Sequence, residues 1–226
     1  MRFDRIVDAV LPRSCLACGE RSAPLCASCR AVCPAAVAVR PPEFIAAWAA
    51  PFAYVGAVRE LVARAKYRNE HHALGWLAAC AAEHRRIVSD DDLPDLVVWI
   101  PTTAARRRSR GFDHARILAR GIAREFALPV ADSLARLDDS PQTGRVRAQR
   151  WHGPRFAVVA GQAARSVLLV DDVATTGATL ASAASVLRAA GVQRIEALTV
   201  ARTPPPSMRA ACGQSVPLPA MRSRAG

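Results

Sequence analysis

The stretch Val167-Leu168-Leu169-Val170-Asp171-Asp172-Val173-Ala174-Thr175-Thr176-Gly177-Ala178-Thr179 decides the fold of this chain. An apolar run ends in two adjacent carboxylates, a loop of threonine and glycine follows, and an alanine-rich helical pattern then continues to Gly191. A strand, an acid pair, an anion-binding loop and a helix N-terminus are what a phosphorylated sugar requires. The alternative is an ordinary buried strand with an acidic turn and a threonine-capped helix. The order Thr-Thr-Gly-x-Thr favours the sugar-phosphate interpretation.

The chemistry of this stretch follows from its residue types. The carboxylates of Asp171 and Asp172 can accept hydrogen bonds from two neighbouring ribose hydroxyls. The backbone N–H groups and threonine hydroxyls of the next few residues can surround a phosphate at the positive end of the helix. Gly177 lets the backbone approach that phosphate without a Cβ in the way.

Length and composition predict a folded α/β protein with one small appendage. The chain has 226 residues and is 51% hydrophobic, so it can bury a sizeable core. No apolar run approaches the roughly 20 residues that span a bilayer, so we expect no membrane insertion. The first twelve residues lack the apolar core of a signal peptide, and we expect a cytoplasmic location.

The charge of the chain indicates an anionic partner. The formal net charge is +12, and Lys66 is the one lysine among the 31 basic residues. Residues 100–170 hold 13 arginines and 5 acidic residues, a local surplus of 8 positive charges. Such a region suits polyphosphate or nucleic acid, whereas a solvated surface is the alternative that charge alone leaves open.

Four cysteines predict a structural zinc site. Cys15, Cys18, Cys26 and Cys29 form the pattern C-x2-C-x7-C-x2-C, in which two tight turns close a tetrahedral site. Four thiolates leave no open position for a substrate, so the metal is structural rather than catalytic. A redox CxxC pair is the alternative, but it does not explain two copies. Cys33 could replace Cys29 as the fourth ligand.

Strands alternate with helices along the rest of the chain, which predicts a mostly parallel sheet covered by helices. We expect a short N-terminal helix at residues 3–11, a linker at 34–42 and a long functional loop at 134–154. The predicted strands are residues 46–54, 96–100, 156–159, 167–170 and 195–201, and the predicted helices are 57–66, 73–88, 113–126 and 178–190.

A second candidate site follows the strand predicted at residues 96–100. The segment 101–114 contains an arginine-rich turn, expected at 102–111, which ends in Arg110 and Gly111. In a parallel sheet this segment lies at the same edge as Asp171, where arginine could bind a pyrophosphate. The loop at 134–154 carries Gln142 and Arg150 and could close over that group. Lys66 could instead only complement the dipole of its own helix.

The ordered set of motifs resembles the ComF family, phosphoribosyltransferase-like proteins linked to natural competence. The resemblance covers residues 3 to about 203. It rests on the four cysteines, Lys66-Tyr67-Arg68, Ile100-Pro101, Arg110-Gly111-Phe112, the loop residues Arg136, Gln142 and Arg150, the segment 171–179, and Ala201-Arg202-Thr203. Asp113, His114 and Gly153 depart from residues common in the family.

The resemblance implies a type I phosphoribosyltransferase fold that binds 5-phosphoribosyl-1-pyrophosphate (PRPP), or another ribose phosphate, with Mg²⁺. It also implies a role with incoming single-stranded DNA and with competence-machinery proteins, or alternatively a nucleobase-salvage role. Asp171, Asp172 and Arg110 are the predicted catalytic residues. The predicted substrate-binding residues are Ala174, Thr175, Thr176, Gly177, Ala178, Thr179, Gly111, Gln142, Arg150 and Lys66. We expect a cysteine unit at residues 1–40, the main domain at 41–203 and a flexible tail at 204–226.

Overall fold

A parallel sheet of six strands forms the centre of the computed structural model, which describes residues 14–67, 71–89, 92–137, 154–159 and 164–208. Its strands are β1 (Ala47–Ala49), β2 (Phe52–Ala53), β3 (Leu96–Trp99), β4 (Val130–Ala131), β7 (Ser166–Ala174) and β8 (Arg194–Arg202), and a separate antiparallel pair is β5 (Leu134–Arg136) with β6 (Phe156–Val158). The helices are α1 (Ala27–Ala31), α2 (Gly56–Tyr67), α3 (His71–Val88), α4 (Ala104–Arg110), α5 (His114–Phe126) and α6 (Ala178–Ala189). The strand order is β1-β8-β7-β3-β4, and β2 also pairs with β8.

β7 is the central strand because it is apolar on both faces. Leu168 and Val170 pack into the core with residues of α2, α3 and α5, whereas Val167 and Leu169 pack into the core with residues of α6. A continuous apolar run is typical of a parallel strand that helices cover on both sides. Each of these side chains contributes about 1.5–3 kcal/mol by leaving water. The predicted parallel α/β sheet is therefore confirmed.

The register of the sheet sets where the candidate site lies. Trp99 at the end of β3 pairs with Val170, so β7 continues past the end of β3 to Ala174. Beyond Val170, β7 stays paired with β8 as far as Arg202. Asp171 and Asp172 therefore lie beyond the end of β3, on a part of β7 that is still paired with β8.

The segment with the cysteines belongs to the core rather than to a separate unit in space. Cys15, Leu25 and Cys26 are buried in the same cluster as Leu61 and Leu77 of α2 and α3. The predicted boundaries at residues 40 and 203 stay predictions. The predicted helix at 3–11 and the tail from residue 209 onward lie outside the described residues.

Several predicted elements agree with the structure within one or two residues. The strand at 46–54 is interrupted at the expected Pro51 and forms β1 and β2. The helices at 57–66, 73–88, 113–126 and 178–190 correspond to α2, α3, α5 and α6. None of the helices that the structure describes has the length and apolar composition to cross a membrane.

Three predictions of local structure were wrong, and strand β4 was missed. The arginine-rich turn at 102–111 contains helix α4, which Thr103 caps and Gly111 ends with a left-handed φ of 77°. The loop predicted from residue 134 begins with strand β5, and β6 pairs with β5 instead of joining the main sheet. The strand predicted to end at Val170 continues to Ala174 because β8 supports it. β4 was missed because two residues carry no periodic signal.

Candidate functional site

The predicted acid pair lies within β7 and not in a loop after it. Asp171 pairs in register with Thr199 of β8, and Val173 pairs with Ala201. Successive side chains of a strand point to opposite faces of the sheet, so Asp171 and Asp172 turn to different sides. Asp171 is half-buried, whereas Asp172 is 6% exposed and points toward α2 and α5.

Two basic side chains meet on one oxygen of Asp172. Lys66 Nζ lies 2.6 Å from Oδ2, and His114 Nε2 lies 2.5 Å from the same atom. The other oxygen, Oδ1, accepts from the Val173 N–H at 2.5 Å. Burial by itself would raise the pKa of Asp172, but Lys66 and His114 outweigh burial and hold the pKa below its ordinary value. Asp172 is therefore a buried carboxylate that stays ionised.

His114 connects Asp172 to Arg110. Arg110 Nη1 lies 3.1 Å from His114 Nδ1, and a guanidinium can only donate. Nδ1 must then be the acceptor, so Nε2 carries the proton that His114 donates to Asp172. Arg110 also donates to the Tyr67 hydroxyl at 3.0 Å, and its guanidinium lies 4.8 Å from the centre of the Tyr67 ring. His114 lies in the candidate segment 101–114 and Tyr67 in the motif Lys66-Tyr67-Arg68, but no role at the site was predicted for either side chain.

Asp171 has the opposite electrostatic balance. Its Oδ1 accepts from the Asp172 N–H at 2.8 Å. Burial, followed by the adjacent negative charge of Asp172, raises the pKa of Asp171 well above its ordinary value. The pair thus consists of one fixed carboxylate and one that gains a proton more readily.

The loop after β7 reaches the N-terminus of α6. Thr175 and Thr176 are exposed, and the Thr176 hydroxyl accepts from the Ala178 N–H at 3.3 Å. Gly177 has a φ of 81°. A Cβ on Gly177 would lie 2.7 Å from Pro42 Cγ and 3.3 Å from the Trp48 ring. Glycine is therefore required here by backbone conformation and by packing, and its predicted contact with a phosphate stays a prediction.

The segment 101–114 is held in place by Asp113. Asp113 Oδ1 accepts from the Ala115 N–H at 3.1 Å and caps α5, and Oδ2 accepts from the Thr102 N–H at 2.9 Å. Asp113, one of the residues that depart from those common in the family, therefore links Thr102 at the start of the segment to the first turn of α5. The sequence indicates the capping role of Asp113, because an aspartate directly before a helical pattern is typical of a helix N-cap.

The structure brings Asp172, Lys66 and Arg110 together through His114. Gly111 ends α4 beside this group, and the loop from Ala174 to the start of α6 follows the acid pair. Gln142 and Arg150 lie outside the described residues, so their predicted roles stay predictions.

The four predicted zinc ligands lie close together. The Sγ atoms of Cys15, Cys18, Cys26 and Cys29 all lie within 4.8 Å of one another. Tetrahedral zinc with bonds of about 2.3 Å places its sulfurs roughly 3.8 Å apart, and Cys18 Sγ lies 3.8 Å from Cys26 Sγ. The Cys33 thiol lies outside this group and donates to the Cys29 carbonyl at 3.3 Å. The residues fit a zinc ion, with Cys29 as the fourth ligand.

The ionisation of these thiols also fits a cation. Burial raises the pKa of Cys15, but backbone N–H groups, that of Cys26 first, outweigh it and lower the pKa to about 6. The Cys26 side chain, followed by that of Cys18, raises the pKa of Cys29. Neighbouring thiolates repel one another, and a divalent cation bound by all four thiolates removes that repulsion.

Magnesium would need a phosphate ligand here. Apart from the four cysteines, the part of the chain that the structure describes has no group of three acidic, histidine or cysteine side chains arranged to hold a metal. Mg²⁺ commonly takes one or two carboxylates and completes its shell with water and substrate phosphates. The half-buried Asp171 fits this arrangement as a single carboxylate ligand, and the ion would arrive with its phosphate ligand.

Comparison with known proteins finds similarity to one domain family and to one curated protein. Residues 113–210 match the phosphoribosyl transferase domain family, a range that contains α5, β7, α6 and β8. Competence protein F of Haemophilus influenzae is 25% identical over 159 residues, which are 66% of this chain and 69% of that protein.

Solved structures show more distant similarity. The glutamine PRPP amidotransferase from B. subtilis gives a TM-score of 0.40 at 22% identity over 56% of this chain, which spans about a quarter of that protein (26%). Adenine phosphoribosyltransferase from Leishmania donovani gives 0.38 at 18% identity, over 66% of this chain and 59% of that protein.

The matched range contains the acid pair and the loop that follows it, whereas the four clustered cysteines lie before that range. The chain is therefore similar to the phosphoribosyl transferase domain family over residues 113–210 and to Competence protein F over about two thirds of its length.

Proposed function

We propose that this chain binds PRPP together with Mg²⁺ at the carboxyl edge of the sheet and acts as a phosphoribosyltransferase. One observation carries the proposal: a buried, ionised Asp172 beside the half-buried Asp171 leads directly into a glycine-containing loop at a helix N-terminus. A ribose phosphate requires acceptors for its hydroxyls and, close by, a phosphate site such as a helix N-terminus provides.

Each group would have a defined task. The half-buried Asp171 accepts hydrogen bonds from the ribose hydroxyls, and the buried Asp172, which Lys66 and His114 keep charged and oriented, fixes the end of β7 beside it. Residues 174–179 bind the 5-phosphate with backbone N–H groups and hydroxyls. Arg110, with Gly111 and the loop residues Gln142 and Arg150, binds the pyrophosphate and shields it from water.

The reaction would be a displacement at C1 of the ribose. A nitrogen of the acceptor, a nucleobase in this proposal, forms a bond to C1 while the bond from C1 to the pyrophosphate oxygen breaks, and the proton of the acceptor passes to water. Pyrophosphate leaves with the bonding electrons, and bound Mg²⁺ supplies charge neutralisation on it. The protein contributes positioning and fixed charge.

The cellular role that we propose is cytoplasmic handling of incoming single-stranded DNA, alongside competence-machinery proteins. The similarity to Competence protein F and the surplus of 8 positive charges in residues 100–170 support it. Nucleobase salvage without a DNA role is the second candidate, and the match to the phosphoribosyl transferase domain favours it equally.

Pyrophosphate release from Mg²⁺-PRPP, measured across a panel of nucleobases, tests the transferase. We expect base-dependent release that Asp171→Asn abolishes, since the amide places N–H donors where the ribose needs acceptors. Asp92→Asn, at an exposed position, is the matched control and should behave as the wild type. Turnover that survives Asp171→Asn would exclude the assigned role.

A gel-shift titration with oligo-dT at two salt concentrations tests the DNA role. Arginine contacts to phosphates predict an affinity that falls steeply as salt rises. Binding of this kind supports DNA handling, whereas base-dependent turnover without any binding at low salt supports nucleobase salvage.

A further inference from the structure

Arg202 is a buried arginine whose charge no acidic side chain of the described residues balances. It is the last residue of β8 and is 5% exposed. None of the ion pairs within the described ranges includes Arg202. Burial lowers the pKa of Arg202, and no carboxylate in that part of the chain raises it again. Burying a charge without an opposite charge costs stability, and residues that break this rule are expected at functional sites.

Arg85 shows the usual arrangement of a buried arginine. It is the other buried arginine among the residues that the structure describes, it is 3% exposed, and its guanidinium lies 2.7 Å from the Glu196 carboxylate. Arg202 instead donates from Nη1 to the Val37 carbonyl at 2.5 Å, and its Nε has no hydrogen-bond partner in the described part of the chain. The two arginines are therefore equally buried, but only Arg85 has a carboxylate beside it.

The guanidinium of Arg202 lies against the ring of Trp48. The distance from the guanidinium carbon to the ring centre is 4.0 Å, which is typical of a cation–π contact. The indole N–H of Trp48 donates to the hydroxyl of the buried Thr199 at 3.1 Å, which orients the ring. Trp48 on β1 is therefore held by one hydrogen bond and by the cation over its ring.

Trp48 in turn packs against the loop that follows β7. A Cβ on Gly177 would lie 3.3 Å from the Trp48 ring, so the ring contacts the backbone directly before α6. The start of this loop is also attached to the end of β8. Arg202 pairs in register with Ala174, and the Thr203 N–H donates to the Ala174 carbonyl at 2.9 Å. Arg202 is thus connected to the loop twice, through the Trp48 ring and through the pairing of β8 with β7.

We infer that Arg202 is a positioning residue for the loop at residues 174–179, and that a phosphate dianion bound by this loop balances its charge. The inference rests on the proposed function, which assigns the 5-phosphate to these residues. Arg202 holds the Trp48 ring against Gly177 and adds a fixed positive charge to that of the helix N-terminus. Because the free protein bears the cost of an unbalanced buried charge, a phosphate that removes this cost binds more tightly.

Isothermal titration of the full-length protein with ribose 5-phosphate tests the inference. Arg202→Met should bind ribose 5-phosphate roughly fivefold to twentyfold more weakly, because one positive charge near a dianion is lost. Arg202→Lys keeps the charge and should restore most of the affinity. The matched control is Arg85→Met, which removes an equally buried arginine that has a carboxylate partner, and it should bind ribose 5-phosphate as the wild type does.

Thermal unfolding without ligand separates this role from an ordinary structural one. Arg202→Met should leave Tm unchanged or raise it, because the variant removes an unbalanced buried charge, whereas Arg85→Met should lower Tm. A Tm that falls in Arg202→Met as far as in Arg85→Met, with no recovery of affinity in Arg202→Lys, would show that Arg202 only stabilises the fold, and this result overturns the inference.

Titrations with other probes distinguish failure of this inference from failure of the PRPP site. Ribose 5-phosphate affinity that is equal in the wild type and Arg202→Met overturns the role of Arg202 alone. Pyrophosphate affinity should be equal in these two proteins, and a loss as large as that for ribose 5-phosphate overturns the inference, because the effect would not be specific to the 5-phosphate. A wild type that binds neither ribose 5-phosphate nor PRPP overturns the PRPP site and the role of Arg202 with it.

Discussion

Replacement of Lys66 by methionine removes one of the two basic groups that hold Asp172. The ammonium lies 2.6 Å from Asp172 Oδ2, and the two side chains are 17% and 8% exposed. Removing one partner of a buried ion pair typically costs about 3–5 kcal/mol, because a charge stays buried without compensation. His114 still donates to the same oxygen, so we expect the lower end, about 3 kcal/mol. For a chain of this size, this corresponds to a fall in Tm of roughly 6–12 °C.

Thermal and urea unfolding followed by circular dichroism measure this loss. Lys66→Arg keeps the charge and should cost much less. Glu60→Gln breaks an ion pair with Arg64, one helical turn away, and the Glu60 side chain is 41% exposed, so the change should cost no more than about 0.5 kcal/mol. A double-mutant cycle of Lys66→Met with Asp172→Asn should show coupling of at least about 1 kcal/mol. Coupling near zero, with a Lys66→Met cost equal to that of Glu60→Gln, would refute the reasoning.

The same pair has a defined dependence on pH. The pKa of Asp172 is lowered in the folded protein, so the ion pair stabilises the fold above the unfolded carboxyl value of about 3.9. That stabilisation is lost as the pH falls through the folded value. The stability difference between wild type and Lys66→Met should therefore be constant from neutral pH down to roughly pH 4 and should shrink below it.

Three further changes test other parts of the structure. Gly177→Ala should lower the free energy of unfolding, measured by urea titration, by about 1–3 kcal/mol, because φ is positive and the Cβ meets a proline ring. Gly75→Ala is the control on the open surface of α3, and it should raise the free energy of unfolding by about 0.5–1 kcal/mol. Cys26→Ser, or a strong chelator, should release about one zinc per chain by mass spectrometry and lower Tm; a chain purified without zinc and with an unchanged Tm contradicts this. Arg85→Met leaves the buried Glu196 carboxylate with Arg194 alone and should cost about 3 kcal/mol in thermal unfolding, so a loss below 1 kcal/mol would contradict a stabilising role for this pair.

The central strands and most helices could be predicted because their signals are local. The run from Val167 to Val170 is apolar at every position, as a strand covered on both faces must be. The helical spacing of α2 and α5 was equally clear. Where an element depends on a distant partner, as the pairing of β5 with β6 and the extension of β7 along β8 do, no local pattern indicated it.

The chemistry of the candidate site was only partly predictable. Adjacent residues such as Asp171 and Asp172, or four cysteines at fixed spacing, show their shared chemistry in the sequence itself. His114 gave no such signal, because its meaning depends on Asp172, which lies on another element and 58 positions further along the chain. The same holds for Tyr67, which meets Arg110 only after α2 and α4 have been placed beside the sheet.

The sequence by itself determined the parallel α/β architecture, the four-cysteine group and the position of the acid pair before a glycine-containing loop, since each is written in residue type and short-range spacing. The tertiary structure alone decided which carboxylate is held ionised and which ring nitrogen of His114 carries its proton. These properties arise from burial and from distances of a few ångströms between side chains far apart in the chain, and electrostatic interactions in a folded interior depend on both.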